Sequence, residues 1–235
     1  MRPLLAPAAP IIRKAVAALA LLLAASGAPA ATPPSAPSRA AAFDQTKLTA
    51  IDDAVARAIA DRKIPGGVLW IERDGQVHRR VYGNRVLEPV SDGATEDTIY
   101  DAASLTKVIA TTTAVMQLVE RGRLRLDDPV SRHLPAFAQH GKEAITVRHL
   151  LTHMSGLRPG LPATPPWTGV AAAIERACAE KPQNPPDAAF VYSDINFILL
   201  GEIVRIAGGR PLDTHTREDV FGPLRMNDTG FLPPA

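Results

Sequence analysis

An Asp-Gly pair, Asp74-Gly75, separates two stretches rich in β-forming residues, and it narrows the fold more than any other local feature. The stretch before it reads GVLWIER and the stretch after it reads QVHRRVYG. Both residues of a two-residue hairpin turn need positive φ, which Asp and Gly tolerate, so the pattern predicts an antiparallel β-hairpin. Residues 46–62 come first and carry apolar residues at helical spacing: Leu48, Ile51, Val55 and Ile59. A helix followed by a hairpin predicts an α+β protein with an antiparallel sheet and argues against a parallel doubly wound sheet.

The first 30 residues are typical of a secretory signal peptide. Arg13 and Lys14 precede an apolar run from Ala15 to Ala25, and Ala28-Pro29-Ala30 suits cleavage by a signal peptidase. That run is far shorter than the about 20 residues that a membrane-spanning helix needs. Residues 31–42 form a linker of Ala, Pro and Ser. We therefore expect an exported chain, periplasmic or secreted, without a stable membrane span.

The charge balance gives no reason to expect a nucleic-acid partner. The chain has 26 basic and 24 acidic residues, and residues 1–30 hold three of the basic residues and no acidic one. The mature chain is therefore close to neutral, whereas nucleic-acid binding draws on a basic surface. The mixed run from Arg121 to Asp128 is typical of a solvated surface.

Residues 104–121 show the strongest helical pattern, and Ser104 and Lys107 lie at its start. Apolar residues predict a wide buried face, and Gly122 can end the helix: Leu105, Val108, Ile109, Thr112, Val115, Met116 and Val119. Side chains three apart on a helix can meet, so Lys107 could take the Ser104 proton and make the hydroxyl nucleophilic. The alternative is a serine N-cap beside a lysine that extends to solvent.

Tyr192 and Asp194 provide a second candidate element, between a Pro-rich loop and an apolar helix. A phenol close to the lysine cation can relay protons, and Asp194 could hydrogen-bond Lys107. The alternative is a tyrosine packed on the helix and an aspartate acting as its N-cap. Further helices are predicted near 147–153, 168–180, 195–207 and 211–220.

Four segments in order resemble the serine β-lactamase and penicillin-binding-protein superfamily: SLTK at 104–107, LLTHMSGL at 150–157, YSDINFILLGEIV at 192–204 and PLRMNDTGF at 223–231. The resemblance is greatest to its class C β-lactamase, esterase and D-Ala-D-Ala carboxypeptidase branch. It implies that Ser104 is the acylated nucleophile, Lys107 its base partner and Tyr192 a proton relay. It also implies an ester or amide substrate, either a small molecule or a peptidoglycan peptide, and no metal or organic cofactor.

The sequence departs from the pattern of this superfamily in two ways. Asp194 stands where asparagine is usual, and its charge should raise the pKa of Lys107 and favour Tyr192 as the working base. The third motif, K-T-G or H-x-G on a late strand, does not follow Tyr192. That strand gives the superfamily an oxyanion-hole donor, which is worth roughly 10²–10³ in rate. We therefore expect a C-terminally truncated chain with an incomplete sheet, and the alternative to an enzyme is a non-catalytic remnant or a protein that binds cell-wall ligands.

Three other residue types could carry chemistry but have plainer explanations. His149 and His153 have the spacing of zinc ligands, but the glutamate of H-E-x-x-H is missing, and His153 is expected to hydrogen-bond the backbone at Ser155-Gly156. Cys178, the single cysteine, lies in an alanine-rich stretch and is predicted to be a buried structural thiol. Trp167 could line a cleft or pack on a helix.

Together these inferences predict an α+β serine hydrolase, β-lactamase- and transpeptidase-like, whose antiparallel sheet has flanking helices beside a helical lobe. The expected organisation is a signal peptide at 1–30, a linker at 31–42 and a partial β-lactamase-related domain at 43–235. Within that domain, residues 43–121 form the sheet lobe and nucleophile helix, and residues 122–235 form the helical lobe. The sequence leaves the oligomeric state open.

Overall fold

The structure is a computed structural model that describes residues 43–232. The predicted signal peptide and linker therefore lie outside the described residues. The described chain forms two compact units, which adjoin in sequence between Asn84 and Arg85. The division into lobes at residues 121 and 122 stays a prediction. Within residues 43–232, no helix has the length and apolar character needed to cross a bilayer.

The first unit is the predicted helix and hairpin. Helix α1 spans Gln45–Ala60 and begins at Asp44, whose carboxylate accepts hydrogen bonds from the amides of Thr46 (2.8 Å) and Lys47 (3.3 Å). This contact satisfies two of the free N–H groups that every helix start leaves. Strands β1 (Gly66–Arg73) and β2 (Gln76–Val86) pair antiparallel. Their turn is Asp74-Gly75, with φ of 52° and 72°, so the predicted hairpin is confirmed.

A third strand and a set of helices make up the rest. Strand β3 is short (Asp92–Gly93), and the sheet order is β1-β2-β3. The helices that follow are α2 (Thr113–Glu120), α3 (Val130–His133), α4 (Val147–Leu151), α5 (Val170–Ala179), α6 (Asp194–Gly208) and α7 (Leu212–Thr216). Two π-helical segments, Lys107–Thr112 and Arg217–Phe221, lead into α2 and continue α7. The predicted α+β class, with its small antiparallel sheet, is confirmed.

The core of the second unit surrounds α6. Five apolar residues along this helix are buried: Ile195, Leu199, Leu200, Ile203 and Val204. They belong to one apolar cluster that also contains Val115 and Leu118 of α2, Leu150 of α4 and Ala177 of α5. Gly209, with φ of 78°, ends α6 in the left-handed conformation that glycine favours. This packing fixes the start of α6 relative to the helix that follows Ser104.

The apolar face predicted for residues 104–121 is only partly correct. The run ends at Gly122 as expected, but its buried residues are Ala110, Thr111, Ala114, Val115 and Leu118. Leu105, Val108 and Met116 are exposed. The expected face assumes an α-helix with 3.6 residues per turn. Residues 107–112 instead form a π-helix with i→i+5 hydrogen bonds, so the residues that follow lie on a different face of the helix.

The interpretation of residues 121–128 as a solvated run is wrong at one position. Asp128 is buried, and its carboxylate accepts hydrogen bonds from the Arg125 amide (2.9 Å) and from Arg132 (2.7 Å). His133 Nε2 lies 3.1 Å from Oδ2, the oxygen that also accepts from the Arg125 amide. A carboxylate can be buried when its oxygens are occupied in this way, and a charge count along the sequence does not reveal such partners.

Candidate active site

Ser104 lies at the start of the helical run and is exposed to solvent. The residue before it, Ala103, has a φ of 43°, a conformation that L-residues other than glycine seldom adopt. The Asp101 carboxylate accepts a hydrogen bond from the Ala103 amide at 2.8 Å and so holds this turn. The turn presents the Ser104 side chain at the surface, where a substrate can reach it.

Lys107 reaches back to Ser104, as the spacing predicts. Its Nζ donates a hydrogen bond to Ser104 Oγ at 3.1 Å, and its side chain is only 15% exposed. The alternative, a lysine extending to solvent, is therefore wrong. Nζ also lies 5.0 Å from the centre of the Tyr192 ring and 5.8 Å from that of Phe197. The ammonium is thus enclosed by the serine, two aromatic rings and the carboxylate described next.

Asp194 is the first residue of α6 and forms an ion pair with Lys107, with Oδ1 2.7 Å from Nζ. It is not the N-cap of the helix, because that position belongs to Ser193, whose hydroxyl donates to the Arg158 carbonyl. Burial alone lowers the pKa of Lys107, but hydrogen bonds and charge from Asp194 and Tyr192 raise it overall. Lys107 is therefore held as an ammonium ion.

Tyr192 completes the group of polar side chains. Hydrogen bonding with Lys107, followed by that with Ser104, lowers the pKa of its phenol. An ammonium ion can only donate hydrogen bonds. Lys107 therefore donates to Ser104 Oγ, and the serine proton remains available to a base. The structure thus brings all four predicted residues together.

His153 supports Tyr192 in a way that the sequence did not reveal. Its ring lies 4.6 Å from the Tyr192 ring, and its Nδ1 accepts a hydrogen bond from the Ser193 amide at 3.0 Å. The expected bond to the Ser155-Gly156 backbone is therefore wrong. Burial, followed by the nearby Lys107 charge, lowers the pKa of His153, so the ring is neutral. Because Nδ1 accepts the hydrogen bond from Ser193, the single ring proton is on Nε2. The LLTHMSGL segment marks this histidine, but its partner is 40 residues away.

A buried polar group fixes the loop beneath His153. The Ser155 hydroxyl donates to Asn196 Oδ1 at 2.7 Å, and Asn196 Nδ2 lies 3.4 Å from His153 Nδ1. Asn196 lies within the apolar α6 and gave no signal of its own in the sequence. Gly156 follows with φ of 77°, and a Cβ there would lie 2.0 Å from the Asn184 carbonyl oxygen. This close approach requires glycine at that turn.

The remaining candidates have other partners. His149 Nδ1 accepts from the Thr146 amide, and its Nε2 lies 3.0 Å from Asp187. In residues 43–232, no three His, Cys, Asp or Glu side chains converge as metal ligands. Cys178 is buried as predicted, and burial raises the pKa of its thiol. Trp167 donates to the Pro162 carbonyl at 2.9 Å and stacks near Arg176 of α5.

Comparison with known proteins assigns the family. Residues 51–235 match the family described as Beta-lactamase. The chain belongs to the beta-lactamase family. An Escherichia coli (strain K12) relative, provisionally named a D-alanyl-D-alanine carboxypeptidase, is 31% identical over 82% of this chain and 49% of its own length. Esterase EstB from Burkholderia gladioli is 34% identical over 81% of this chain and 53% of its own length.

A crystal structure of a class C beta-lactamase shares the fold of this beta-lactamase family member. It is 27% identical with a TM-score of 0.69, and the match covers 82% of this chain and 53% of that one. The chain thus spans about half the length of the relatives it matches. The resemblance inferred from the four motifs is confirmed at the level of the family, which includes hydrolases of several substrate classes.

Proposed function

We propose that this chain carries the acylation centre of an exported serine hydrolase that acts on ester or amide substrates. Ser104 Oγ attacks the substrate carbonyl carbon, and its proton passes to the phenolate form of Tyr192. The bond to the alcohol or amine leaving group then breaks, and Tyr192 returns the proton to that group. Water hydrolyses the resulting acyl-Ser104 ester by the reverse proton path.

One observation carries the proposal: Lys107 donates to Ser104 Oγ at 3.1 Å, and the same ammonium lies beside the Tyr192 ring and the Asp194 carboxylate. A lone serine hydroxyl is a weak nucleophile, and it needs a base within hydrogen-bond reach. The Lys107 ammonium ion stabilises a phenolate on Tyr192, so the base does not have to be the lysine itself. This proton path agrees with the expectation from the sequence that Asp194 favours Tyr192 as the working base.

Labelling with an alkyl fluorophosphonate tests the nucleophile directly, because this reagent forms a stable adduct with activated serines. We expect one adduct on the purified chain, located on Ser104 by peptide mass spectrometry. Ser104→Ala should reduce labelling to background, while Ser131→Ala, at a serine outside the site, should leave it unchanged. Equal labelling of the parent chain and Ser104→Ala would show that the nucleophile is assigned wrongly.

The substrate class needs a second experiment. A chromogenic ester, a cephalosporin and a D-Ala-D-Ala peptide separate esterase, β-lactamase and carboxypeptidase activities. These are the three activities that the names of the relatives mention. An exposed carboxylate, Asp194, stands at the site and disfavours anionic substrate groups beside it. We therefore expect the ester to react fastest. A chain that binds D-Ala-D-Ala peptide without labelling or turnover would favour the alternative, a cell-wall-binding protein.

Export is part of the same proposal and rests on residues 1–30. Fusing residues 1–42 to a reporter that is active only outside the cytoplasm should give activity in a bacterial host. Replacing Arg13 and Lys14 with glutamate removes the positive region that signal peptides need, and it should abolish that activity.

A further inference from the structure

A stack of aromatic rings extends from the proposed nucleophile site to the surface. The His153 ring contacts Tyr192 (4.6 Å between centres), Phe197 (5.2 Å) and Phe190 (5.8 Å). Phe190 meets it edge to face, with 77° between the ring planes. Phe190 is thus joined through one buried ring to the phenol that faces Ser104.

The backbone holds Phe190 in this position. The amide of Val191 donates to the His153 carbonyl at 2.9 Å, and the amide of Ser193 donates to His153 Nδ1 at 3.0 Å. Phe190 and Tyr192 are two residues apart, and both rings contact His153. The two rings are therefore held against the same histidine.

Phe190 is nevertheless 67% exposed, while His153 beneath it is buried. Most of this apolar ring therefore gains no burial from the part of the chain that the structure describes. Leu105, the neighbour of Ser104, is also exposed, at 61%. Exposed apolar side chains therefore lie next to Ser104 in the sequence and one ring away from the phenol.

The charges around this surface define what it can bind. The Lys107 ammonium is already paired with Asp194, and the Asp194 side chain is 59% exposed. His153 is neutral because burial and the Lys107 charge lower its pKa. The surface beside Ser104 thus offers the exposed Asp194 carboxylate and the aromatic ring of Phe190, which suit an uncharged apolar group and not an anion.

We propose that Phe190 forms an apolar subsite that binds the alkyl or aryl acyl group of an uncharged ester substrate. This proposal rests on the proposed function and specifies the substrate of the same site. Phe190 is a specificity-determining residue in this assignment, because it contacts the substrate away from the carbonyl where bonds form and break.

The test compares p-nitrophenyl acetate and p-nitrophenyl hexanoate on the full chain. The readout is the second-order rate of acylation, measured from p-nitrophenol release and from the adduct mass on Ser104. In the parent chain we expect hexanoate to react faster than acetate. Phe190→Ala should reduce the hexanoate-to-acetate rate ratio about tenfold, because several methylene contacts are lost. Val170→Ala removes an equally exposed apolar side chain on α5 and should leave the ratio unchanged.

The rate ratio separates a binding role from a structural one. If Phe190 only positions Tyr192, Phe190→Ala will slow both esters equally, and an unchanged ratio overturns the subsite. Phe190→Gln keeps most of the side-chain length and should lower the ratio as well, which covers the case in which the alanine variant fails to fold. If neither ester forms an adduct on the parent chain, the proposed function fails, and the subsite fails with it.

Discussion

At the scale of single residues, Asp194 decides how the site handles protons. Its carboxylate opposes the hydrogen bonds from Lys107 and Ser104 that lower the pKa of Tyr192. It also counteracts the burial that lowers the pKa of Lys107. This one carboxylate therefore raises the pKa of both neighbours relative to a site without it.

Asp194→Asn removes this charge and should move the pH dependence of acylation. The rate rises with pH as the base loses its proton, and the pKa values of Tyr192 and Lys107 both fall when the carboxylate is replaced. The half-maximal rate should therefore shift to lower pH, as measured with p-nitrophenyl acetate over a pH series. Asp228→Asn, at an exposed site, is the control. A shift to higher pH would contradict this account of Asp194.

Asp128 is a second residue whose charge has a measurable consequence. Replacing it with alanine leaves the Arg125 amide and His133 without their partner, so we expect a loss of about 2–4 kcal/mol in the free energy of unfolding. Asp127→Ala is the matched control, since its carboxylate is exposed and paired with Arg148 at the surface. That variant should lose less than about 1 kcal/mol. Urea denaturation of the three proteins gives both values, and equal losses would refute the difference.

The same residue predicts a pH effect on stability. Burial raises the pKa of Asp128, but hydrogen bonds from Arg125 and His133 and the nearby positive charges lower it below the ordinary value of 3.8. A lowered pKa in the folded state stabilises the fold at any pH above 3.8, and this contribution disappears as the pH falls through the folded value. The stability gap between the parent chain and Asp128→Ala should therefore narrow below that pH in urea titrations. A gap that stays constant there would contradict the prediction.

At the scale of elements, Lys142 holds the end of α5. Its side chain is fully buried, and its Nζ donates to the carbonyls of Cys178 and Glu180. The ammonium also lies 4.2 Å from the centre of the Phe137 ring. Carbonyls at a helix end lack partners within the helix and carry partial negative charge, so a cation there is favourable.

Lys142→Ala should destabilise the chain by about 2–4 kcal/mol, because it leaves a cavity and two carbonyls without a donor. Lys181→Ala, three residues after Cys178 and exposed, is the matched control and should change the free energy of unfolding by less than about 0.5 kcal/mol. Thermal unfolding followed by circular dichroism measures both. A Lys142→Ala protein as stable as the control would show that α5 does not depend on this contact.

Some elements of the fold could be predicted from the sequence, and others depend on tertiary contacts. The hairpin at Asp74-Gly75 and helix α6 follow from local chemistry, turn residues in one case and apolar periodicity in the other, and both were predicted. Residues 107–112 were not, because a π-helix depends on tertiary packing that no periodicity encodes. Lys142 and Asp128 are charged in the sequence and buried in the fold. The carbonyl partners of Lys142 are up to 38 residues away, and Asp128 combines a backbone amide with side chains four and five residues later, so a charge count does not reveal either burial.

Some residues of the candidate site could be predicted from the sequence, and others could not. Ser104 and Lys107 are three residues apart, so helical geometry alone brings them together. Tyr192 and Asp194 could be assigned to the same site only because their motif follows the Ser104 motif in a known family. Packing of α6 against α2 is the physical reason that the two motifs meet. His153 and Phe190 could not be placed from the sequence, because their roles come from ring contacts made across a loop.

At the scale of the whole molecule, apolar burial is unevenly shared between the two units. Leu48 is the single buried apolar residue within the described residues 43–84, whereas the second unit buries a continuous cluster around α6. Local opening costs less free energy where fewer apolar contacts must break. The first unit should therefore open more readily than the second, even though β1 pairs with β2 along its whole length.

Hydrogen exchange followed by mass spectrometry tests this difference. At neutral pH and 25 °C, peptides covering β1 and β2 should exchange at least tenfold faster, after correction for intrinsic rates, than peptides covering α6, a ratio equivalent to about 1.4 kcal/mol in opening free energy. Leu48→Ala should accelerate exchange in α1 and the hairpin while leaving α6 unchanged, because α6 lies in a separate apolar cluster. Val204→Ala, in that cluster, is the reciprocal variant and should accelerate α6. Hairpin protection equal to that of α6 would mean that the two units open together, with a shared free energy of unfolding.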